Sequence, residues 1–119
     1  MKVGVVSSRK FEGLDNVVEI LTSLADSNGW SYPSVAVGGN GGVDGKVKDW
    51  CKLEKLDYFT FLPYFVLDSE TEFTPRMFFA KNNQIVDNTN LLIAFGDDND
   101  TKQAIKRASE QGKDVIIVA

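Results

Sequence analysis

Residues 34–51 read SVAVGGNGGVDGKVKDWC, and this stretch decides the fold. Ser34 to Val37 is a short apolar run typical of a buried strand, which Gly38-Gly39 ends. Beyond the glycines, apolar residues recur at helical spacing, at Val43, Val47, Trp50 and Cys51. The stretch therefore predicts a strand, a glycine-rich loop and a helix in direct succession, which is one unit of a βα repeat.

The same strand and helix patterns alternate on both sides of this stretch. Short apolar runs predict further strands at Lys2 to Val6, Tyr58 to Leu62, Leu91 to Phe95 and Val115 to Val118. Helical spacing and capping residues predict further helices from Leu14 to Asn28-Gly29, from Thr74-Pro75 to about Asn88, and from a cap at Asn99 or Asp100 to Gly112. Tyr64 to Phe73 shows no clear period, so we predict a loop there.

The order of these elements sets the topology. Strands joined by helical crossovers are parallel, and right-handed crossovers place helices on both faces of the sheet. We therefore predict an α/β fold, a three-layer Rossmann-like sandwich whose five-stranded parallel sheet has the order 3-2-1-4-5. Ligands of such sheets bind beyond the carboxyl ends of the strands, where the strand order reverses. We expect the site on the loops after strands one, two and four.

The composition favours one domain, residues 1–119, and excludes several kinds of chemistry. A chain of 119 residues with 43% hydrophobic residues can bury one core without disulfides or metal. With no histidine and one cysteine, Cys51, the sequence lacks the ligands of most zinc sites, the catalytic Ser-His and Cys-His pairs and any intramolecular disulfide. We expect neither a metal nor a cofactor.

Charge and hydropathy bound the partners. The net charge of −4 disfavours a tight, sequence-independent grip on nucleic acid. The apolar run after Met1-Lys2 is too short for a signal peptide, and no run approaches the roughly 18 apolar residues of a membrane span. We expect a cytoplasmic protein with neither a membrane nor a nucleic-acid partner. The aromatic residues between Tyr58 and Phe79 exceed what so small a core needs, which favours a homodimer or higher homo-oligomer.

The three loops expected at the site carry polar residues and glycines. Ser7-Ser8-Arg9, after the first strand, offers two hydroxyls and a guanidinium. After the second strand, Gly38-Gly39-Asn40-Gly41-Gly42 leaves backbone N–H groups uncovered where a helix begins, which suits an anion. After the fourth strand, Gly96-Asp97-Asp98-Asn99-Asp100-Thr101 starts another helix with a hydroxyl in its first turn. Because this run is acidic, a divalent cation is one interpretation and a solvated capping loop is the other.

Two familiar phosphate motifs do not fit the glycine loop. A P-loop needs a glycine where Asn40 stands and a Ser or Thr where Val47 stands. A dinucleotide fingerprint that starts at Gly39 meets Asp44 where its third glycine belongs. The sequence therefore disfavours ATP hydrolysis and NAD-dependent hydride transfer as activities of this protein.

Several motifs together carry a resemblance to a known family. They are Ser7-Ser8-Arg9, Gly38-Gly39-x-x-Gly42-x-Asp44, Arg76 with Lys81-Asn82, Leu92-Ile93-Ala94-Phe95, and Thr101 at a helix start. In this order they resemble the SLOG superfamily, the Rossmann-like group that includes the Lonely Guy phosphoribohydrolases and the nucleotide-binding core of DprA. The resemblance covers nearly the whole chain and is closest to the small stand-alone members.

The resemblance implies a nucleotide or nucleotide-derived phosphate ligand. The residues implied to hold phosphate are Gly39, Gly42 and Thr101. Those implied to shape the pocket are Ser8, Arg9 and Asp44, and positive charge is implied to come from Arg76 and Lys81. The same loops add Gly38, Gly41 and Gly96 to the candidate site. Purely structural roles stay open for several of them. The glycines can form a tight turn, Arg9 can lie on the surface, Arg76 can pair with a glutamate, and Thr101 and Asp44 can serve only to start their helices.

One departure from the family leaves its activity open. In the phosphoribohydrolases a glutamate three residues after the threonine helps to break the N-glycosidic bond, and here Ala104 stands at that position. A module that senses or sequesters the ligand is therefore one interpretation. The alternative is a nucleoside monophosphate phosphoribohydrolase in which another carboxylate acts, from Asp44, Asp97, Asp98 or Asp100. A nucleoside deoxyribosyltransferase and a DNA-binding partner protein are the further alternatives, the latter motivated by Lys46, Lys48, Lys52 and Lys55.

Overall fold

Within the part of the chain that the structure describes, five parallel strands form one sheet. The computed structural model describes residues 1–8, 10–39, 42–61 and 75–118, and the side chains of 75–79 lie outside that description. The strands are β1 (Lys2–Ser7), β2 (Ser34–Gly38), β3 (Tyr58–Phe61), β4 (Leu91–Phe95) and β5 (Asp114–Val118). They lie in the order β3-β2-β1-β4-β5, and each neighbouring pair is parallel. The predicted Rossmann-like α/β fold and its strand order are confirmed.

Helices cover both faces of this sheet. They are α1 (Val17–Asn28), α2 (Val43–Glu54), α3 (Pro75–Asp87) and α4 (Asn99–Glu110), and a 3-10 helix, Leu14–Asn16, leads into α1. The chain moves from β1 to one side to form β2 and β3, and then to the other side to form β4 and β5. α1 and α2 pack together on one face, and α3 and α4 pack together on the other, as right-handed crossovers in this strand order require.

Most element boundaries lie near their predicted positions, with one correction. Gly29 ends α1 with a φ of 65°, as the Asn-Gly signal predicted. The predicted cap of α4 at Asn99 or Asp100 is wrong, because Asp98 is the capping residue and Asn99 is already helical. Asp98 has extended backbone angles, and its carboxylate accepts a hydrogen bond from the Thr101 N–H. Leu62, the predicted loop from 64 to 73 and the Thr74 cap lie outside the described residues.

The core has two layers, one on each face of the sheet. Trp50 and Leu21 anchor the layer beneath α1 and α2, while Ile85 and Ala104 belong to the layer beneath α3 and α4. Both faces of the central strands are buried, which explains why they read as continuous apolar runs. Cys51 is fully buried, and burial raises its pKa to about 11. Its thiol is therefore protonated and unreactive near neutral pH, in keeping with its predicted place in the core.

Gly4 in β1 lets α3 approach the sheet closely. A Cβ at this position would lie 2.8 Å from Ile85 Cγ2 and 2.8 Å from Thr89 Oγ1. The bare backbone therefore fixes where α3 crosses β1, one helical turn beyond Lys81.

In the described ranges, no helix has both the length and the apolar character needed to cross a bilayer.

Candidate functional site

The carboxyl ends of β1 and β4 are joined through Ser8. Its N–H donates to the Phe95 carbonyl over 2.7 Å, and its Oγ accepts from the Asp98 N–H over 2.9 Å. The same Oγ lies 3.3 Å from Thr101 Oγ1. Ser8 thereby links the first strand to the first turn of α4, which brings together two of the three loops expected at the site.

Gly96 is required beside Ser8 for two physical reasons. Its φ of 97° lies in a region that side chains other than glycine rarely adopt. A Cβ would also overlap Ser8 Oγ and lie 2.6 Å from Ser8 Cβ. Ser8, Gly96 and Thr101 therefore form one close-packed unit.

A second unit lies at the end of β2, where two buried charged side chains meet above Gly38. A Cβ on Gly38 would lie 2.6 Å from Asp44 Oδ2 and 3.0 Å from Lys81 Nζ. Asp44 is 3% exposed and Lys81 is 8% exposed. Opposite charges offset each other's desolvation in a buried setting, which favours this placement of both side chains at the strand end. The Lys81 charge is thus directed at Gly38 and Asp44, beneath the surface of the site.

Two helices begin at this edge of the sheet, and their first turns differ. The start of α4 is capped by the Asp98 carboxylate, which accepts from the Thr101 N–H over 2.9 Å. At the start of α2 the cap residue is Gly42, which has no side chain to make a cap hydrogen bond, and the buried Asp44 lies in the first turn. Gly42 has a φ of 68° and an exposed surface. Of these two helix starts, only that of α2 has a cap residue that carries no carboxylate.

A cleft of about 850 Å³ opens beside the Ser8 unit. Its apolar wall contains Phe11, whose ring packs edge-on against Phe95 at a centroid distance of 5.4 Å, and Ile117, which is 60% exposed. Its charged lining residues are Lys10, Glu12, Asp97, Asp98 and Asp100. The cleft therefore combines an aromatic surface with an acidic rim on the α4 side.

The structure places the remaining predicted residues as follows. Thr101 has no exposed surface, so its hydroxyl serves the contact with Ser8 and does not face the cleft. Gly39 is half-buried in the bend after β2. Arg9 and Gly41 lie outside the described residues, and Arg76 lies in α3 with its side chain outside them.

Asn82 and Phe11 are two residues of this region that the site assignment missed. Asn82 is 3% exposed, and its Nδ2 donates to the Asp100 carbonyl over 3.4 Å. Its Oδ1 has no hydrogen-bond partner among the residues that the structure describes. Adjacency to Lys81 could have pointed to Asn82, whereas Phe11 carries no signal in the sequence beyond its place after Ser7-Ser8-Arg9.

The acidic run at the start of α4 acts as a capping loop. Asp98 caps the helix, and the described part of the chain contains no group of three or more acidic or cysteine side chains that could hold a metal ion. The capping interpretation of this run is therefore the one that the geometry supports.

Comparisons with known proteins identify structural relatives. No protein-family model and no curated protein matches the sequence. Among solved structures, DprA from Streptococcus pneumoniae superposes with a TM-score of 0.76 at 16% identity, over 99% of this chain and 50% of that one. The protein TM1055 gives a TM-score of 0.68 at 21% identity, over 96% of this chain and 71% of that one. The molybdenum cofactor carrier protein from Chlamydomonas reinhardtii gives 0.65 at 18% identity, over 98% and 74%.

These similarities establish the fold. DprA belongs to the superfamily that the sequence motifs resemble, so the resemblance is confirmed at the level of fold. The chain spans half the length of the DprA chain and somewhat less than three quarters of the other two.

Proposed function

We propose that the protein binds a nucleotide or nucleotide-derived phosphate ligand at the carboxyl edge of the sheet, and senses or sequesters it without turning it over. The phosphate lies at the start of α2, and the nucleoside part lies in the cleft beside Phe11. The observation that carries this proposal is the absence of a side-chain cap on α2, directly after a glycine-rich loop, in the described ranges.

The start of α2 has the properties that an anion requires. The first N–H groups of a helix point outward from its N-terminus, and the helix adds about half a positive charge there. Glycine lets a ligand approach the backbone, and the nearest atom to a Cβ on Gly42 would be Leu14 Cδ2 at 3.9 Å. An oxygen-rich anion can therefore reach this helix end without displacing a side chain of the described residues.

The start of α4 is unsuited to a second phosphate. The Asp98 carboxylate already occupies the capping position, and Asp97 and Asp100 add further negative charge along the same rim. Like charges repel strongly at short range where water is partly excluded. The arrangement thus favours a ligand with one phosphate group at α2 and a neutral nucleoside in the cleft.

Binding without turnover follows from the residue at position 104. Ala104 is fully buried in the core beneath α4, so this position offers neither a proton donor nor an acceptor. One of the structural relatives is described as a cofactor carrier protein, which is a binding role of the proposed kind. The alternative, hydrolysis of the N-glycosidic bond of a nucleoside monophosphate, draws on one observation, that Asp97 and Asp100 line the same cleft.

Thermal unfolding with nucleoside monophosphates tests the proposal. A ligand at a hundred times its Kd adds about 2.7 kcal/mol, or several degrees in Tm for a domain of this size. AMP, GMP, CMP, UMP, ADP-ribose and cyclic nucleotides are compared, and each mixture is analysed by chromatography afterwards. A raised Tm with the nucleotide recovered intact is the expected result. Release of the free base at a rate that depends on the protein would establish the hydrolase instead.

Paired variants at Gly42 place the phosphate. Gly42→Asp and Gly42→Asn strain the backbone equally, because both side chains must adopt the same positive φ of 68°. They differ only in charge. We expect the rise in Tm to be lost in Gly42→Asp and kept in part in Gly42→Asn, whose side chain can also cap the helix but does not repel the phosphate. If both variants lose the ligand-induced rise in Tm equally, the phosphate does not bind at this helix start.

A further inference from the structure

The cleft beside the Ser8 unit offers a ligand mainly hydrogen-bond acceptors. Its charged lining residues in the described ranges are four carboxylates and one lysine. Asp98 already accepts the Thr101 N–H as the cap of α4, and Asp100 is half-buried in the first turn of that helix. Asp97 is exposed and takes no part in the cap. Of the three carboxylates on the α4 side of the cleft, Asp97 is therefore the most open to a ligand.

The sheet places Asp97 near the base of a nucleotide whose phosphate binds at the start of α2. That helix follows β2, and Asp97 is the second residue after β4. Since β1 lies between β2 and β4, the loops that follow these two strands are about 10 Å apart. The base is the end of a nucleotide that lies farthest from its phosphate. A nucleotide that spans this distance therefore presents the outer edge of its base to the loop that carries Asp97.

The common bases differ in what their outer edges offer to a carboxylate. Guanine has two neighbouring donors, N1–H and the N2 amino group, and the two oxygens of one carboxylate can accept from both. Adenine and cytosine each have an amino group beside an unprotonated ring nitrogen, and uracil has one N–H between two carbonyl oxygens. In these three bases an acceptor faces the second carboxylate oxygen, and the two repel each other. A carboxylate at this position therefore favours guanine.

Building on the function proposed above, we propose that the ligand is a guanine nucleotide with one phosphate group and that Asp97 selects its base. The Asp97 carboxylate accepts hydrogen bonds from N1–H and from the N2 amino group. Phe11, which lines the same cleft, provides an aromatic surface against which the base packs. A bidentate pair discriminates between bases by about tenfold or more, whereas packing on an aromatic ring tolerates every base. Asp97 thus determines specificity, and Phe11 adds affinity alone.

Isothermal titration calorimetry with GMP, IMP, AMP and XMP tests this selection. The four nucleotides share their sugar and phosphate and differ only at the base. IMP lacks the N2 amino group, XMP has a carbonyl in its place, and AMP has an acceptor at N1. We expect GMP to bind about tenfold more tightly than each of the other three. Equal affinity for all four would overturn the selection of guanine and leave nucleotide binding intact, whereas binding of none would overturn the function proposed above as well.

Asp97→Asn should reverse the preference between guanine and xanthine. The amide keeps one acceptor for N1–H and replaces the other with a donor, which suits the C2 carbonyl of xanthine. We expect GMP to bind about tenfold more weakly to the variant than to the parent, and XMP to bind the variant more tightly than GMP does. Loss of a negative charge would by itself tighten the binding of every phosphate ligand, so weaker binding of GMP cannot arise from charge alone. If GMP binds the variant as tightly as the parent, Asp97 does not select the base.

Two control variants separate Asp97 from other exposed carboxylates. Glu12→Gln changes another carboxylate that lines the cleft, and Asp114→Asn changes one at the start of β5, at the opposite edge of the sheet. We expect the ratio of GMP affinity to AMP affinity to keep its parental value in both. A ratio that falls as far in Glu12→Gln as in Asp97→Asn would overturn the assignment to Asp97. Gly42→Asp should instead weaken all four nucleotides by the same factor, because it acts on the phosphate that they share.

Discussion

The starts of α2 and α4 lie at the same edge of the sheet, and each follows a strand and a glycine, yet they are built for opposite purposes. The first turn of α4 is closed by its own Asp98 carboxylate and packed against Ser8 through Gly96. The first turn of α2 begins at an exposed Gly42 with no side-chain cap in the described ranges. A helix start that satisfies its own donors stabilises the fold, whereas one that leaves them available can bind an anion.

The residues around the two helix starts also differ. Around α4, short hydrogen bonds fix Ser8, Asp98 and Thr101 in one arrangement. Beneath α2, the buried charges of Asp44 and Lys81 lie above Gly38, while Gly42 at the cap is exposed. The closely packed part of this edge thus lies at α4 and above Gly38, and the proposed binding surface lies at α2.

The largest effect on the free energy of unfolding is expected from Gly96→Ala, which disrupts the packing at the start of α4. The positive φ and the overlap with Ser8 together should lower the free energy of unfolding by about 3 kcal/mol. Gly112→Ala is the matched control, because Gly112 has a φ of 72° and nothing within 4 Å of an added Cβ. Strain alone should cost that control about 1 kcal/mol in urea unfolding. Equal losses would mean that the Ser8 contact contributes nothing.

A smaller effect is expected when the α4 cap is removed. Asp98→Ala deletes the acceptor for the Thr101 N–H and should destabilise the protein by about 1 kcal/mol. It should also raise the stabilisation that inorganic phosphate gives in thermal unfolding, since a second helix start then becomes open to anions. If phosphate stabilises the variant no more than the parent, the two starts do not differ in the way described above.

Two neighbouring substitutions separate the cap from its charge. Asp98→Asn keeps a good capping acceptor and should retain nearly the full stability of the parent. Asp97→Ala removes an exposed carboxylate of the same loop and should change the free energy of unfolding by no more than about 0.5 kcal/mol. A loss in Asp97→Ala as large as that in Asp98→Ala would assign the effect to loop charge.

The sequence predicted the closed start less well than the open one. The glycine loop after β2 was recognisable as the connection between a strand and a helix because four glycines stand in five positions. The cap of α4 was misplaced because Asp98, Asn99 and Asp100 are all good capping residues, and propensity alone cannot rank them. The hydrogen bond from the Asp98 N–H to Ser8 Oγ selects Asp98 as the cap, and this contact joins residues 90 positions apart in the sequence.

The strand order was predictable, whereas the buried pairing of charges was not. Alternating periods together with the right-handed crossover rule leave few topologies for five parallel strands. In contrast, Asp44 and Lys81 are 37 positions apart, and the sequence assigned each of them to the pocket without indicating that they meet. Only the crossing of α3 over β1, set by Gly4, brings Lys81 down to the end of β2.

The smallest effect is expected at the far end of α4, where it meets α3. Hydrogen bonds from Arg107 and Gln111 lower the pKa of Asp87 from its ordinary 3.8 to about 2. This carboxylate therefore stabilises the fold above pH 3.8, and its contribution is lost as the pH falls through about 2. Because the Asp87 side chain is 41% exposed, solvent screening limits that contribution to about 1 kcal/mol or less.

Asp87→Asn checks this by comparing urea unfolding of variant and parent from pH 6 down to pH 2. The difference in free energy between them should be constant at the upper end of this range and should shrink steadily below pH 3.8. Glu110→Gln is the control, since its 4.0 Å pair with Lys106 joins side chains that are 65% and 79% exposed. A difference that stays constant down to pH 2 would mean that the Arg107 pair does not stabilise the charged form of Asp87. Packing alone would then stabilise the last turn of α4. Side-chain hydrogen bonds would stabilise only its first turn, which Asp98 caps.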